Sequence, residues 1–250
     1  MDYPAQLESL RREGAAALAA AGGPPDDPVP GCPGWSAADL AAHLGVIHHR
    51  VAELVRSGGL DRPARLFREV EAPAPELRAA WLAQGVDALV ASLAAADPET
   101  AVWTWAGPGT NRFWGRRMAL ETAIHRWDLE SAHGEPAPVE AELAVDGVDE
   151  LFDVFVPSRR DGGRPGVEPW RFDGTGERLH LHCTDVPGEW VLRFGPGSLE
   201  VTREHAKGEA ALRGPASDLL LVLYGRVGPE RVEVLGDPAV VRLWTDAAHV

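Results

Sequence analysis

Cysteine is the first scarcity. The 250 residues hold only two, Cys32 and Cys183, far apart in the chain, which excludes a disulfide framework and a thiolate-rich zinc site. Lysine and asparagine occur once each, as Lys207 and Asn111, and isoleucine twice. Alanine, glycine, proline and arginine abound instead. These are the residues of GC-rich codons, so the expected source is a GC-rich bacterium, which bears on the small thiol its cytosol contains. No apolar run approaches the length of a membrane span. The start, Met1 to Ala5, has neither a basic segment nor an apolar centre, so no secretion signal is expected and a cytoplasmic location is the default. Positive charge is short as well. The formal net charge of −14 argues against nucleic acid and anionic membranes as partners. The 45% hydrophobic fraction suffices for one large core or two small ones.

What is present is organised around residues 111 to 134. The run from Asn111 to His133 is rich in helix formers, with Gly134 as a C-terminal stop before Pro136. At 100° per residue, Phe113, Leu120, Ile124 and Trp127 form a packing stripe, and Trp114, Glu121, His125 and Asp128 form the stripe beside it. Glu121 and His125 then lie one turn apart, with Cβ atoms about 6 Å from each other. Such a pair suits an ordinary helix-surface contact. It equally suits a divalent metal, since Glu oxygen and His nitrogen are both zinc ligands. A metal requires a third ligand from elsewhere.

Gln6 to Ala21 reads as a first helix, followed by Gly22-Gly23-Pro24-Pro25 and a Pro/Gly-rich loop. A second helix begins at the capping box Ser36-Ala-Ala-Asp39. Its apolar face is Leu40, Leu44, Ile47, Val51 and Leu54, with His43 at the edge of that face, His48 at its other border and His49 toward solvent. His43 is the candidate third ligand; the alternative is a core histidine satisfied by a carbonyl. Gly58 to Pro75 reads as a connection, Glu76 to Ala96 as a third helix, and Asp97 to Thr110 as a long loop carrying Trp103 and Trp105. Four helices by Gly134 make a four-helix bundle the natural architecture of this half.

Beyond Gly134 the texture changes. Glu140 to Phe155 is an acidic amphipathic helix and Arg159 to Gly176 a loop or linker. Period-two runs at 178–183, 189–194 and 198–205 read as antiparallel strands. Ser217 to Tyr224 is a short apolar helix, Arg231 to Leu235 a strand and Pro238 to Ala247 a last helix. The expected fold class is α+β in two domains, at 1–135 and 136–250. His180 and His182 share a strand face at a spacing that could chelate a metal, but no further ligand is evident, and an exposed or partner-facing strand face is the preferred reading. His133, His205 and His249 read as surface residues without a constellation, and Cys32 as a small packing residue in a tight Cys-Pro-Gly loop.

Three patches together resemble one family. They are Cys-Pro-Gly-Trp-Ser-Ala-Ala-Asp-Leu-Ala-Ala-His-Leu-Gly (32 to 45), Glu-Thr-Ala-Ile-His-Arg-Trp-Asp-Leu-Glu (121 to 130), and Ser-Asp-Leu-Leu-Leu-Val-Leu-Tyr-Gly-Arg (217 to 226) followed by Val-Glu-Val-Leu-Gly-Asp (232 to 237). The order and spacing are similar to those of the mycothiol-dependent maleylpyruvate isomerase family. The resemblance implies an up-down, DinB-like four-helix bundle followed by a sterol-carrier-like α+β domain with an antiparallel sheet. It implies a divalent metal, usually zinc, on His43, Glu121 and His125. It places Arg226 as a residue reaching the active site from the second domain to hold an anionic substrate or thiol, and Asp128 as a partner that orients a ligand histidine. The implied cosubstrates are a low-molecular-weight thiol, expected to be mycothiol, and a small electrophile; no obligatory protein partner is evident. A metal-coordinated thiol loses its proton, and the thiolate adds to an electrophilic carbon. Departure after bond rotation gives cis–trans isomerisation, whereas retention gives S-transfer. The alternatives are a non-enzymatic small-molecule or lipid carrier with a structural metal, and a metal-dependent hydrolase.

Overall fold

The computed structural model describes residues 1–61, 73–160 and 168–248. Parts of the two connections read at Gly58–Pro75 and Arg159–Gly176, together with His249, fall outside the described residues. The chain divides into two compact units, Met1–Val139 and Glu140–Val250.

The first unit is helical. α1 (Tyr3–Ala20) packs chiefly on α4 (Asn111–His133), and α2 (Ala37–Ser57) on α3 (Arg78–Ala95). Further α1–α3 and α2–α4 contacts close the four into a bundle. α2 starts as its sequence dictates. Ser36 accepts from the Asp39 amide while the Asp39 side chain accepts from the Ser36 amide, so two otherwise orphaned donors are satisfied together. The helix stops at Gly58, whose φ of 60° is left-handed, a conformation that costs glycine no Cβ clash. Gly45 lets α2 and α3 approach closely, since a Cβ there would stand 2.5 Å from the Trp81 ring. Leu40, Leu44, Leu82 and Leu129 share the core between the helices.

Polar groups also cross this core. Arg126 of α4 is 3% exposed and reaches Glu13 of α1 at 2.9 Å and Glu130 at 2.8 Å. It also donates to the carbonyls of Ala137 and Pro138, fixing the chain that leaves α4. The stretch expected to be a loop between α3 and α4 holds a hairpin, β1 (Ala101–Thr104) with β2 (Gly107–Thr110). Its Gly-Pro-Gly-Thr strand carries no period-two apolar pattern, which is why it reads as a loop. Trp103 and Trp105 pack here: the Trp114 indole donates to the Trp103 carbonyl, and Trp105 meets Phe113 edge-on.

In the second unit, α5 (Ala141–Glu150) runs through a π-helical turn (Leu151–Phe155) into the short α6 (Val156–Ser158). A five-stranded sheet follows, ordered β5-β4-β3-β6-β7, from β3 (Arg178–Cys183), β4 (Glu189–Gly195), β5 (Ser198–Thr202), β6 (Ala210–Gly214) and β7 (Glu233–Gly236). β3, β4 and β5 form the expected antiparallel meander. β6, a strand the sequence did not announce, joins β3 in parallel, so the sheet is mixed. Leu181 lies in register with Trp190 on one side and Leu212 on the other, a buried row on one sheet face. α7 (Ala216–Leu223) and α8 (Pro238–Thr245) complete the unit, with the α8 residue Trp244 bonded to the Leu223 carbonyl. No helix of the described residues is long and apolar enough to cross a membrane.

Candidate metal centre

α2 and α4 bring the three sequence candidates together. His43 Nε2 and His125 Nε2 each lie 3.3 Å from the same oxygen, Oε1 of Glu121. The two imidazoles stand nearly perpendicular, with centroids 5.2 Å apart. One ligand atom from each of the three residues lies within 4.8 Å of the others. Asp128 sits behind them, fully buried, with Oδ2 2.9 Å from His125 Nδ1. That contact fixes the proton on Nδ1 of a neutral imidazole and turns Nε2 toward the cluster, the arrangement in which a carboxylate orients a metal-ligating histidine.

The electrostatics follow from this crowding. Burial alone would raise the Glu121 pKa, but His125, His43 and Arg117 more than reverse it, and its carboxyl is held well below the usual range. Burial would lower the His125 pKa, but Glu121, Asp128 and Cys32 hold it well above the usual value. Each shift is that of a carboxylate and an imidazole that favour one another's charged form. If His43, Glu121 and His125 satisfied one another by hydrogen bonding alone, Oε1 would have to accept from both Nε2 atoms while His125 also donates to Asp128. A divalent cation satisfies all three with neutral imidazoles, and the donor set fits zinc.

Two participants escaped the sequence reading. Arg117, 3% exposed, pairs with Glu121 Oε2 at 3.1 Å and anchors the oxygen that the histidines leave. Its i, i+4 spacing to Glu121 is a sequence signal that could have been used. Cys32 is more than a packing residue. Its Sγ lies 3.6 Å from Asp128 Oδ2, although its body does pack against the core that the four helices share. Cys32, His125 and Asp128 form an alternative ligand set. Asp128 Oδ2 accepts from both neighbours there, at 3.6 Å and 2.9 Å, whereas in the His43 set one Glu121 oxygen lies 3.3 Å from two imidazole nitrogens.

The other histidines differ from their expected places. His48 is fully buried against the Thr122 hydroxyl at 2.9 Å, and burial, only partly opposed by Glu121, lowers its pKa to about 3. His49 stacks on Trp81 at 3.8 Å between centroids instead of facing solvent. His133 pairs with Asp27 at 3.0 Å. His180 and His182, read as an exposed or partner-facing strand face, meet His205, read as a surface residue, at Glu189 in the second unit, and His180 is buried there. Arg226 follows α7, half-buried, and donates to the Tyr224 carbonyl at 3.2 Å.

Fold and cluster define a class: a two-unit α+β chain whose helical part gathers a His–Glu–His set suited to a divalent cation. Residues 7–130 match the family model described as the mycothiol maleylpyruvate isomerase N-terminal domain, and residues 142–243 match that family's C-terminal domain. The chain belongs to the mycothiol-dependent maleylpyruvate isomerase family, a family of enzymes. Two crystal structures share its fold, the mycothiol-dependent maleylpyruvate isomerase at a TM-score of 0.65 and a histidine-to-alanine mutant of it at 0.64. Each is 14% identical in sequence, and the likeness covers 94% of this chain and 93% of that chain. No curated protein matches the sequence.

Proposed function

We propose that the protein is a metal-dependent enzyme that uses a low-molecular-weight thiol, mycothiol by family, to add to a small electrophile, with cis–trans isomerisation or S-transfer as the net reaction. The carrying observation is the shared Glu121 oxygen, 3.3 Å from two imidazole nitrogens, one of them backed by a buried carboxylate. His43, Glu121 and His125 would hold the metal, and three protein ligands leave a position open, as catalytic zinc requires. When bound, the metal would supply the Lewis acidity that favours thiolate over thiol at neutral pH.

The chain's own residues do the rest. Asp128 holds the His125 tautomer and ring orientation, and Arg117 holds the outer oxygen of Glu121. Trp35, edge-on to His43 with centroids 5.1 Å apart, restricts the imidazole on its exposed side. Arg226 supplies a cation for an anionic group of substrate or thiol. A cleft of about 300 Å³ in the second unit is mixed, with Phe152, Trp170, Phe172 and Leu199 beside Arg159, Arg160, Arg203 and Asp153, and is not a continuous apolar tunnel. A lipid tunnel would be apolar.

The test combines metal analysis with turnover of a maleyl-type cis-diacid, with and without mycothiol. Wild type should require both metal and thiol. His43→Ala, Glu121→Ala and His125→Ala should lose the metal of the helical unit and the activity, Arg226→Ala should raise KM at full metal content, and Cys32→Ser should stay active. Turnover that needs no thiol would point to a hydrolase. Metal retained in His43→Ala but lost in Cys32→Ser would move the centre to the alternative trio.

A further inference from the structure

The second histidine cluster lies wholly in the sheet unit. His180 and His182 alternate on β3, so both side chains leave the same face, opposite Leu179 and Leu181. Glu189 opens β4 directly across from His182 in the antiparallel register. His205, on the chain after β5, returns over the same face, its ring 5.2 Å from His180 and 6.2 Å from His182 between centroids.

The distances converge on one carboxylate. His205 Nδ1 lies 2.6 Å from Glu189 Oε2, His182 Nδ1 2.8 Å from Oε1, and His180 Nε2 3.5 Å from Oε2. One ligand atom from each of the four residues lies within 4.8 Å of the other three. Two of these nitrogens, His180 Nε2 and His182 Nδ1, are buried and have no hydrogen-bond partner among the described residues. Each makes a charge contact with Glu189, at 3.5 Å from His180 and 2.8 Å from His182. A buried ring nitrogen left this way is costly. Arg213, in register with His182 on β6, is drawn away into a 3.0 Å pair with Glu233 and does not serve the cluster.

We infer that His180, His182, Glu189 and His205 form a second divalent-metal site, separate from the helical one, for a borderline cation such as Zn²⁺. Three imidazoles and one carboxylate are a donor set for zinc and its transition-metal neighbours, not for calcium or magnesium, which take oxygen. Four protein ligands leave no open position, so the site is structural. Its work is to fasten the chain after β5 to β3 and β4. It shares no residue with the helical centre.

The experiment adds Zn²⁺ or Co²⁺ to the metal-stripped full-length protein and reads stoichiometry, chelator-competition affinity and the Co²⁺ absorption spectrum. His125→Ala should keep the sheet-unit metal, and His182→Ala/His205→Ala should lose it while keeping thiol-dependent turnover. The single variant His205→Ala alters only an exposed loop side chain and should weaken this site at least about tenfold, within the range over which metal-site support matters. Wild type and His125→Ala binding equally, with all binding lost in the double variant, would uphold this site and sink the helical one. A double variant or His205→Ala that binds metal with wild-type stoichiometry and affinity would overturn the inference.

Discussion

In the helical unit Glu121 meets His125 one turn along its own helix and His43 from a neighbouring one, whereas in the sheet unit Glu189 meets His182 across a strand pair. The helical cluster gathers three ligands and surrounds them with support, from Asp128 behind His125 and Arg117 on the far oxygen of Glu121. The sheet cluster gathers four and spends its carboxylate inside the set. Open coordination with orienting partners suits chemistry; complete coordination suits a clasp. On the two proposals, the same residue types divide by geometry into a reactive site and a fastening one.

The largest effect that would sharpen this contrast is functional. His125→Ala should reduce thiol-dependent turnover to background, while His182→Ala/His205→Ala should leave turnover intact but lower the midpoint of thermal unfolding in the presence of Zn²⁺. Equal loss of activity in both would erase the distinction. Next comes Asp128→Asn, which keeps volume but removes the charge behind His125. Metal affinity of the helical site should fall about 10–100-fold, as is usual when such a partner is lost, and the sheet site should be untouched. Competitive metal titration of each site decides it.

His48 and His125 respond to pH in opposite senses. The folded state depresses the His48 pKa to about 3, so between pH 6.5 and 3 the unfolded chain binds a proton that the folded chain does not. Stability contributed by this residue is present above pH 6.5 and is lost as pH falls, at about 1.4 kcal/mol per pH unit. His125, raised in the metal-free protein, acts with the opposite sign: its contribution is full below its ordinary pKa and is lost as pH rises through the folded one. Denaturant unfolding of metal-free protein should show a shallower acid-side slope for His48→Gln than for wild type; identical slopes would refute the assignment. The smallest effect is Ser36→Ala, which removes half of the capping box and should cost about 1 kcal/mol by the same measurement.

Much of the helical unit is legible because its signals are local. The Ser36–Asp39 box, the Gly134 stop and the 3.6-residue stripe of α4 need only neighbours in sequence. Glu121 and His125 are visible for the same reason, and His43 at the border of the α2 face was within reach of the angular argument. The contact of Cys32 with Asp128 was not legible because Asp128 lies across the fold, although the packing role of Cys32 was. Ala210–Gly214 was missed because Ala-Ala-Leu-Arg-Gly offers little alternation, and its pairing with β3 is set by tertiary contact. His205 was missed because only the β4–β5 turn returns it to Glu189. The hairpin register of β3 and β4 was readable, however, and it alone would have placed Glu189 opposite His182.

All four residues of the proposed sheet site lie between residues 180 and 205, inside the β3–β4–β5 meander and its exit. The parallel partner β6 must close a longer loop before it can pair with β3, and such non-local pairing is the slow part of folding. A cation captured by the meander would therefore be bound before the sheet is complete, and would hold its first three strands in register while β6 arrives. On this account Zn²⁺ acts on the folding rate of the sheet unit as well as on its final stability, and stopped-flow refolding with and without the ion separates the two.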